Sequence, residues 1–395
     1  MRGPRHACAL AAAAIVAAAL GGAPASAQTI SDLTLDLQNL QARIAAGDRA
    51  AYASQTERIS AVGAAILAAK PEVWQSKRET DSAVIYLLSG GQPRDIVRLV
   101  ESGAVPASEI PLMRGVLAYV LGNEPEAEKR LSAIDARRLP LRLAGPMAFA
   151  QSVLETSHDS AKAIELLDLA RLLAPGTLVE EAALRREIML VADQHDTDRI
   201  ARLARQYASR FGASVYAEGF LQTLAGALAQ SGAIGSREVF DKFKAFFAAL
   251  APETRRGFLL GLARAAMLSG RFEVAAAAAA AALVGVAPDS ADEARGKLYA
   301  AMARVLAPDY DAAVAELQSV AAAKLDRHDQ ELLAAARGVA AFLRQAPAGS
   351  AAPPAADAAA MASANPNDAV AQTIVLAEAA LGRTAQLAVA PKGSL

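Results

Sequence analysis

The sequence predicts an all-α protein: a train of about eight helical hairpins forming a degenerate solenoid, followed by one separate helix. Three observations predict it. The 395-residue chain is rich in alanine and only 5% aromatic, against 54% hydrophobic overall. Alanine is the best helix former and a poor strand residue, so helices packed closely on small side chains fit this composition better than a sandwich or doubly wound sheet. Helical patterns of roughly 11 to 20 residues alternate with short breaks, and strand signals are nearly absent. The third observation is an internal period.

The period is sharpest at Ala163, Leu167, Ala170 and Pro175. Residues at i, i+4 and i+7 share one helix face; small ones let two helices approach, and proline stops the helix. This is the spacing of the second helix of a tetratricopeptide (TPR) repeat. Break residues recur five positions before the expected second-helix starts: Gly122 and Ala127, His158 and Ala163, His195 and Ile200, Gly235 and Phe240, Gly270 and Ala275, Pro308 and Ala313. Gly47 with Tyr52 and Gly91 with Ile96 are weaker instances. The starts lie 31 to 44 residues apart, whereas a strict TPR array repeats every 34. Tyr52, Ile96 and Phe240 match poorly, so regular stacking is doubtful there.

The elements run in order as follows. Residues 1–27 read as a secretory signal: Arg2, Arg5 and His6 form a basic start, Ala7 to Leu20 an apolar stretch too short to span a bilayer, and Ala25-Ser26-Ala27 a small-x-small site, with cleavage expected between Ala27 and Gln28. The alternative is an amphipathic or anchoring helix that stays attached. Cys8, the sole cysteine, lies inside this segment, too early for a lipoprotein site. The chain after it then lacks disulfides and thiol chemistry, which suits an oxidising compartment, here the periplasm. Residues 28–345 are the TPR-like solenoid. Residues 346–367, mostly Pro, Ala, Gly and Ser, read as a linker. Residues 368–395 read as one amphipathic helix, from Asp368 to Leu387, and a tail.

Charge and motifs exclude much. Forty basic and 41 acidic side chains give a net charge of −1, which shifts to −3 once Arg2 and Arg5 are lost. No run of five like charges supports nucleic-acid binding. No later segment is apolar enough to span a membrane. No phosphate loop, nucleophile elbow or zinc helix motif is present, so neither a catalytic residue, a cofactor, a small-molecule substrate nor a metal is expected. His158, His195 and His328 each precede an aspartate, which superficially suggests a metal site. The better reading is that Asp159 and Asp196 cap the next helix and that His328-Asp329 starts another. Glu180-Glu181, beside arginines, reads as a solvated, salt-bridged face. A lytic transglycosylase would need a catalytic domain for which the chain after the solenoid has no room.

What remains is surface. In such arrays, positions 2, 5, 9 and 12 of each first helix line a concave groove. Counting back from the second-helix starts places Glu109, Tyr119, Glu155, Arg185, Met189, Gln222, Arg264 and Met267 there. A polar, Met and Tyr surface suits a peptide or helix. Arg199 is expected on the opposite, outer face.

The stretch from Leu166 to Ile188, with Pro175-Gly176-Thr177 before a charged helix, resembles the periplasmic flagellar-motor family MotC. Val84 to Gly91 and Gln206 to Phe211 resemble it too, and the similarity covers roughly Leu33 to Leu228. The resemblance implies a non-catalytic, secreted accessory of flagellar rotation acting on the periplasmic part of the stator subunit MotB. It supplies no binding residue. A general periplasmic TPR scaffold in envelope assembly is the alternative.

Overall fold

The computed structural model describes residues 28–305 and 310–345; among them there is no strand. The expected signal, the linker, the helix after Asp368 and the break at Ala307-Pro308 lie outside the described residues. Helices follow in pairs: α1 (Ile30–Ala45) with α2 (Arg49–Ala68), α3 (Lys77–Leu88) with α4 (Pro93–Glu101), α5 (Ile110–Val120) with α6 (Glu124–Leu131), α7 (Leu141–Glu155) with α8 (Ser160–Leu173), and α9 (Leu178–Asp193) with α10 (Thr197–Phe211). After α11 (Ala217–Gln230) come two short helices, α12 (Arg237–Lys242) and α13 (Lys244–Ala249). Then follow α14 (Pro252–Leu268) with α15 (Phe272–Leu283), α16 (Ala291–Arg304) with α17 (Tyr310–Ser319), and α18 (Arg327–Gln345). Backbone packing divides the chain into one unit ending at Gln330 and a second beginning at Glu331, within α18.

The second helices begin earlier than the repeat spacing suggested. Six of the expected starts lie four residues after the helix cap, and their amides bond the cap carbonyl: Tyr52 to Asp48, Ala127 to Asn123, Ala163 to Asp159, Ile200 to Asp196, Phe240 to Ser236 and Ala275 to Arg271. The periodic residue therefore closes the first turn rather than opening the helix. Its burial explains why it repeats: Ile96, Ala127, Ala163, Ile200, Phe240, Ala275 and Ala313 are all buried, and only Tyr52 is exposed. The caps are built from the break residues. Asp48, Asn123, Asp159, Asp196 and Ser236 each accept a hydrogen bond from an amide in the first turn. Asp159 and Asp196 are thus caps as expected. Asp329 differs. Asp326 caps that helix, while Asp329 is buried and accepts from the Tyr299 hydroxyl at 2.7 Å.

The fourth hairpin, α7 with α8, is closed by small residues. Ala163, Leu167 and Ala170 are fully buried, and a Cβ on Gly145 of α7 would lie 2.5 Å from the Cβ of Ala174. Stacking is weakest where the sequence matched the repeat poorly. α3 packs more on its neighbours α1, α5 and α7 than on α4, and α11 packs on α14 rather than α12. The sixth second helix is broken at Phe243. Its halves are held by phenylalanines, with Phe240 and Phe247 rings 5.0 Å apart and Phe246 edge-on to Phe258 at 5.1 Å.

The first helices also curl. α1 packs on α3 and reaches α9. Gly47, at φ +98°, is needed there twice over: a Cβ would strain the backbone and sit 2.4 Å from the Ala213 carbonyl oxygen. Beside it, Tyr52 meets Tyr216 edge-on at 6.0 Å.

The expectation for the acidic pair is overturned. Glu180 and Glu181 are not a solvated face; both are buried. Glu180 accepts from Arg210 at 2.8 Å and from the Gly176 amide at 2.6 Å, while Glu181 accepts from the Tyr207 hydroxyl at 3.0 Å. The acidic pair occupies the first turn of α9, where helix N-termini favour negative charge, and points between helices rather than outward.

Candidate partner-binding face

First helices α7, α9 and α11 are consecutive neighbours, and between them lies an open depression of about 520 Å³. α7 contributes Phe149 and, at its end, Thr156. α9 contributes Arg185, Arg186 and Met189, and α11 contributes Phe220 and Thr223. Pro175 and Gly176 end α8, and the Thr177 hydroxyl accepts from the Glu180 amide. This fixes the start of α9 and so the register of Arg185 and Met189, one turn apart on the same side.

Arg185 is half-buried. Its guanidinium lies 5.3 Å from the Tyr216 ring centroid, and its Nε has no hydrogen-bond partner. Arg186 is anchored instead, with Nε and Nη2 donating to Thr156 Oγ1 at 3.3 and 3.1 Å. Tyr119 is half-buried; burial raises its hydroxyl pKa, and the nearby Arg186 charge opposes the rise. Beneath Arg185, burial pushes the Glu181 carboxyl up, with Ser214, Arg185 and Tyr207 pulling the other way.

The structure brings together only part of the expected groove. Arg185 and Met189 line the depression, and Gln222 is exposed on α11 next to Thr223. Tyr119 lies beside Arg186. Arg264 and Met267 sit on α14, the next first helix; Arg264 faces the buried Asp329 at 3.6 Å. Glu109 is elsewhere, tied to Lys77 at 3.1 Å. Glu155 lines a separate small cavity and pairs with Lys162. Other positions in the same register, Val116, Ala148 and Ser152, are fully buried. α3 packs against α5 and α7 and is buried at every residue from Glu79 to Leu87, so it has no solvent face to line a groove. Arg186, Phe149 and Phe220 were missed because counting within a repeat finds one stripe per helix, whereas a depression between helices also takes flanking residues. Arg199, expected on the outer face, donates to the fully buried Glu187 at 2.8 Å. Among the described residues no cluster of His, Cys, Asp or Glu could hold a metal, and no helix is long and apolar enough to cross a membrane.

Fold and face define a helical-hairpin protein with a mixed arginine, methionine and aromatic surface, the kind that suits another polypeptide. The comparisons with known proteins give the family. The sequence model described as chemotaxis protein MotC matches residues 1–391, and the chain belongs to that family. A curated relative, Chemotaxis protein MotC of Rhizobium meliloti (strain 1021), is 27% identical over 351 residues, covering 87% of this chain and 80% of its own. No solved structure matches.

Proposed function

We propose that this protein is a periplasmic accessory of flagellar rotation that works by holding the periplasmic part of the stator subunit MotB on the α7–α9–α11 face. Membership of the chemotaxis protein MotC family supports a role in motility. The signal-like N-terminus supports export. The observation that carries the binding reading is Arg185, a guanidinium held over Tyr216 with a buried Nε lacking an acceptor, beside Met189 in an open depression. A partner carboxylate would pair with the half-exposed part of that guanidinium rather than with its buried Nε, while Met189 and Phe149 offer adaptable apolar contact.

Two measurements test it. A deletion strain should assemble flagella but fail to swim; unassembled flagella would favour an envelope-assembly scaffold. In a titration with the periplasmic part of MotB, Arg185→Ala should weaken binding by about 1–2 kcal/mol or more. Arg49→Ala, exposed at the start of α2, is the control. Arg199→Ala is unsuitable as a control because Arg199 holds Glu187. Equal binding by Arg185→Ala and wild type would remove this face from the reaction, and no binding by wild type would remove the partner.

A further inference from the structure

A second surface lies mainly on the second helices α8 and α10, away from the residues of the proposed MotB face. Asp168 and Arg171 of α8, Glu187 of α9, and Arg199, Arg202 and Arg205 of α10 line an open cleft of about 720 Å³, with Arg210 at its end. Two kinds of arginine share it. Arg171 and Arg199 are committed: they hold the two oxygens of the buried Glu187 at 2.5 and 2.8 Å and both reach Asp168, at 2.8 and 3.0 Å. Arg210 is committed to Glu180 at 2.8 Å. Arg202 and Arg205 are exposed, and among the described residues neither guanidinium takes part in an ion pair or hydrogen bond. The carboxylate nearest to Arg202 in sequence, Asp198, is already bound by Lys242 at 2.9 Å. The cleft's five guanidiniums therefore face three carboxylates, Asp168, Glu187 and the Glu180 that holds Arg210, which leaves two in excess.

Helix geometry explains the arrangement. α10 buries Ile200, Leu203, Ala204, Tyr207 and Phe211 on one side. Positions 199, 202 and 205–206 form a different stripe, three to four residues apart. Arg202 and Arg205 are one turn apart, about 4.5 Å along the axis. That separation matches carboxylates at i and i+3 or i+4 of a facing helix. The fixed lattice below keeps α8, α9 and α10 in register, so the two free forks stand on a rigid base rather than on a loop.

We propose that this cleft docks an acidic segment of a protein partner, with Arg202 and Arg205 pairing its carboxylates. Charge complementarity selects the occupant, because a fork-shaped donor binds a carboxylate through two parallel hydrogen bonds. Arg171 and Arg199 are positioning residues; their charges are already answered.

The test is a fluorescence-anisotropy titration of the purified protein with a labelled octaglutamate peptide at about 50 mM and about 300 mM salt, a range over which exposed charge pairs are increasingly screened. Wild type should bind, and more weakly at the higher salt. The double variant Arg202→Glu/Arg205→Glu should bind about tenfold more weakly or worse. A second double variant, Arg49→Glu/Arg114→Glu, makes the same change in net charge at exposed arginines outside the cleft and should bind like wild type. All three should melt nearly alike, since the charge that Arg202 acts on in the fold is the exposed Asp198, and surface charge pairs contribute little. Four results would overturn the proposal: no binding by wild type, equal loss in both double variants, a melting temperature that drops only in the cleft variant, or displacement of the peptide by tripolyphosphate but not by unlabelled octaglutamate.

Discussion

The fourth and fifth hairpins lie side by side and are closed by opposite chemistry. In α7–α8 the interface is small and apolar: Ala144, Ala148, Ala163 and Ala170 are buried, and Gly145 leaves no room for a Cβ against Ala174. Its buried polar groups are satisfied by carbonyls: Gln151 donates to Leu131 and Ile134 at 2.7 Å, and Ser152 to Phe149 at 2.6 Å. In α9–α10 buried carboxylates cross the gap instead: Glu180 to Arg210, Glu181 to Tyr207, and Glu187 to Arg199 and Arg171. Alanine and glycine hold helices by proximity and tolerate little added volume. A carboxylate with a dedicated donor tolerates more distance but fixes which residue faces which. The hairpin cross-linked by charge carries both proposed binding surfaces, since Arg185 and Met189 project from one side of it and Arg202 and Arg205 from the other.

The largest effect that should separate the two hairpins comes from Arg171. Arg171→Ala leaves the fully buried Glu187 with Arg199 alone, and the cost should approach the roughly 3–5 kcal/mol of a buried charge left with no partner. Urea unfolding should show the loss directly. Replacing both partners, Glu187→Leu with Arg171→Met, should recover most of it, because an apolar pair of similar volume avoids the desolvation cost. A double variant as unstable as Arg171→Ala would mean that the lattice is essential to the hairpin rather than one of two interchangeable ways to close it.

A smaller effect is expected on the alanine side. Ala163→Leu adds volume where none is exposed and should cost about 1–3 kcal/mol through overpacking. Leu172→Ala, at an exposed position of the same helix, should change stability little. Equal melting of Ala163→Leu and wild type would show that α7 and α8 can separate without cost, which the contact at Gly145 argues against.

These two hairpins also show what could be read from the sequence. Alanine at i and i+7 with a closing proline has one physical explanation, close packing, and it was legible at Ala163 and Ala170. The caps were legible too, since Asp159 and Asp196 stand where a helix must satisfy its first amides. Glu180-Glu181 was misread because a carboxylate next to arginine looks the same in sequence whether it faces solvent or a neighbouring helix. The donors that bury it, Tyr207 and Arg210, lie 26 and 30 residues further on, on the other helix of the same hairpin. The break in the sixth hairpin was foreshadowed by Phe240 at a small-residue position. The depression around Arg185 was legible only in part, because register along a helix identifies a stripe and not which stripes an all-round buried helix such as α3 will cover.

The smallest expected effect concerns pH, and it should appear in only one of the two hairpins. Glu181 is fully buried, one of its oxygens has no hydrogen-bond partner, and burial raises its carboxyl above the ordinary 4.5, with Ser214, Arg185 and Tyr207 opposing. As pH falls from neutral, the folded protein binds this proton before the unfolded chain does. Stability then increases as pH falls through the raised value toward about 4.5, the reverse of the usual carboxylate behaviour. Glu187, raised by burial as well, acts in the same direction. Carboxylates held low, such as Asp32 and Asp48 at their caps, work oppositely and lose their contribution only as pH drops below about 3.8. Stability should therefore peak in mildly acidic solution. Glu181→Gln keeps an acceptor for Tyr207 and removes the titrating proton. Its melting temperature should exceed that of wild type near pH 7, and the gap should narrow by about pH 5. The alanine-closed hairpin supplies the contrast: Gln151→Glu, in place of a donor that satisfies two carbonyls, should destabilise at both pH values and more at pH 7. Parallel melting curves for Glu181→Gln and wild type across that range would show that Glu181 keeps an ordinary pKa despite its burial, and that Ser214, Arg185 and Tyr207 together outweigh the loss of water.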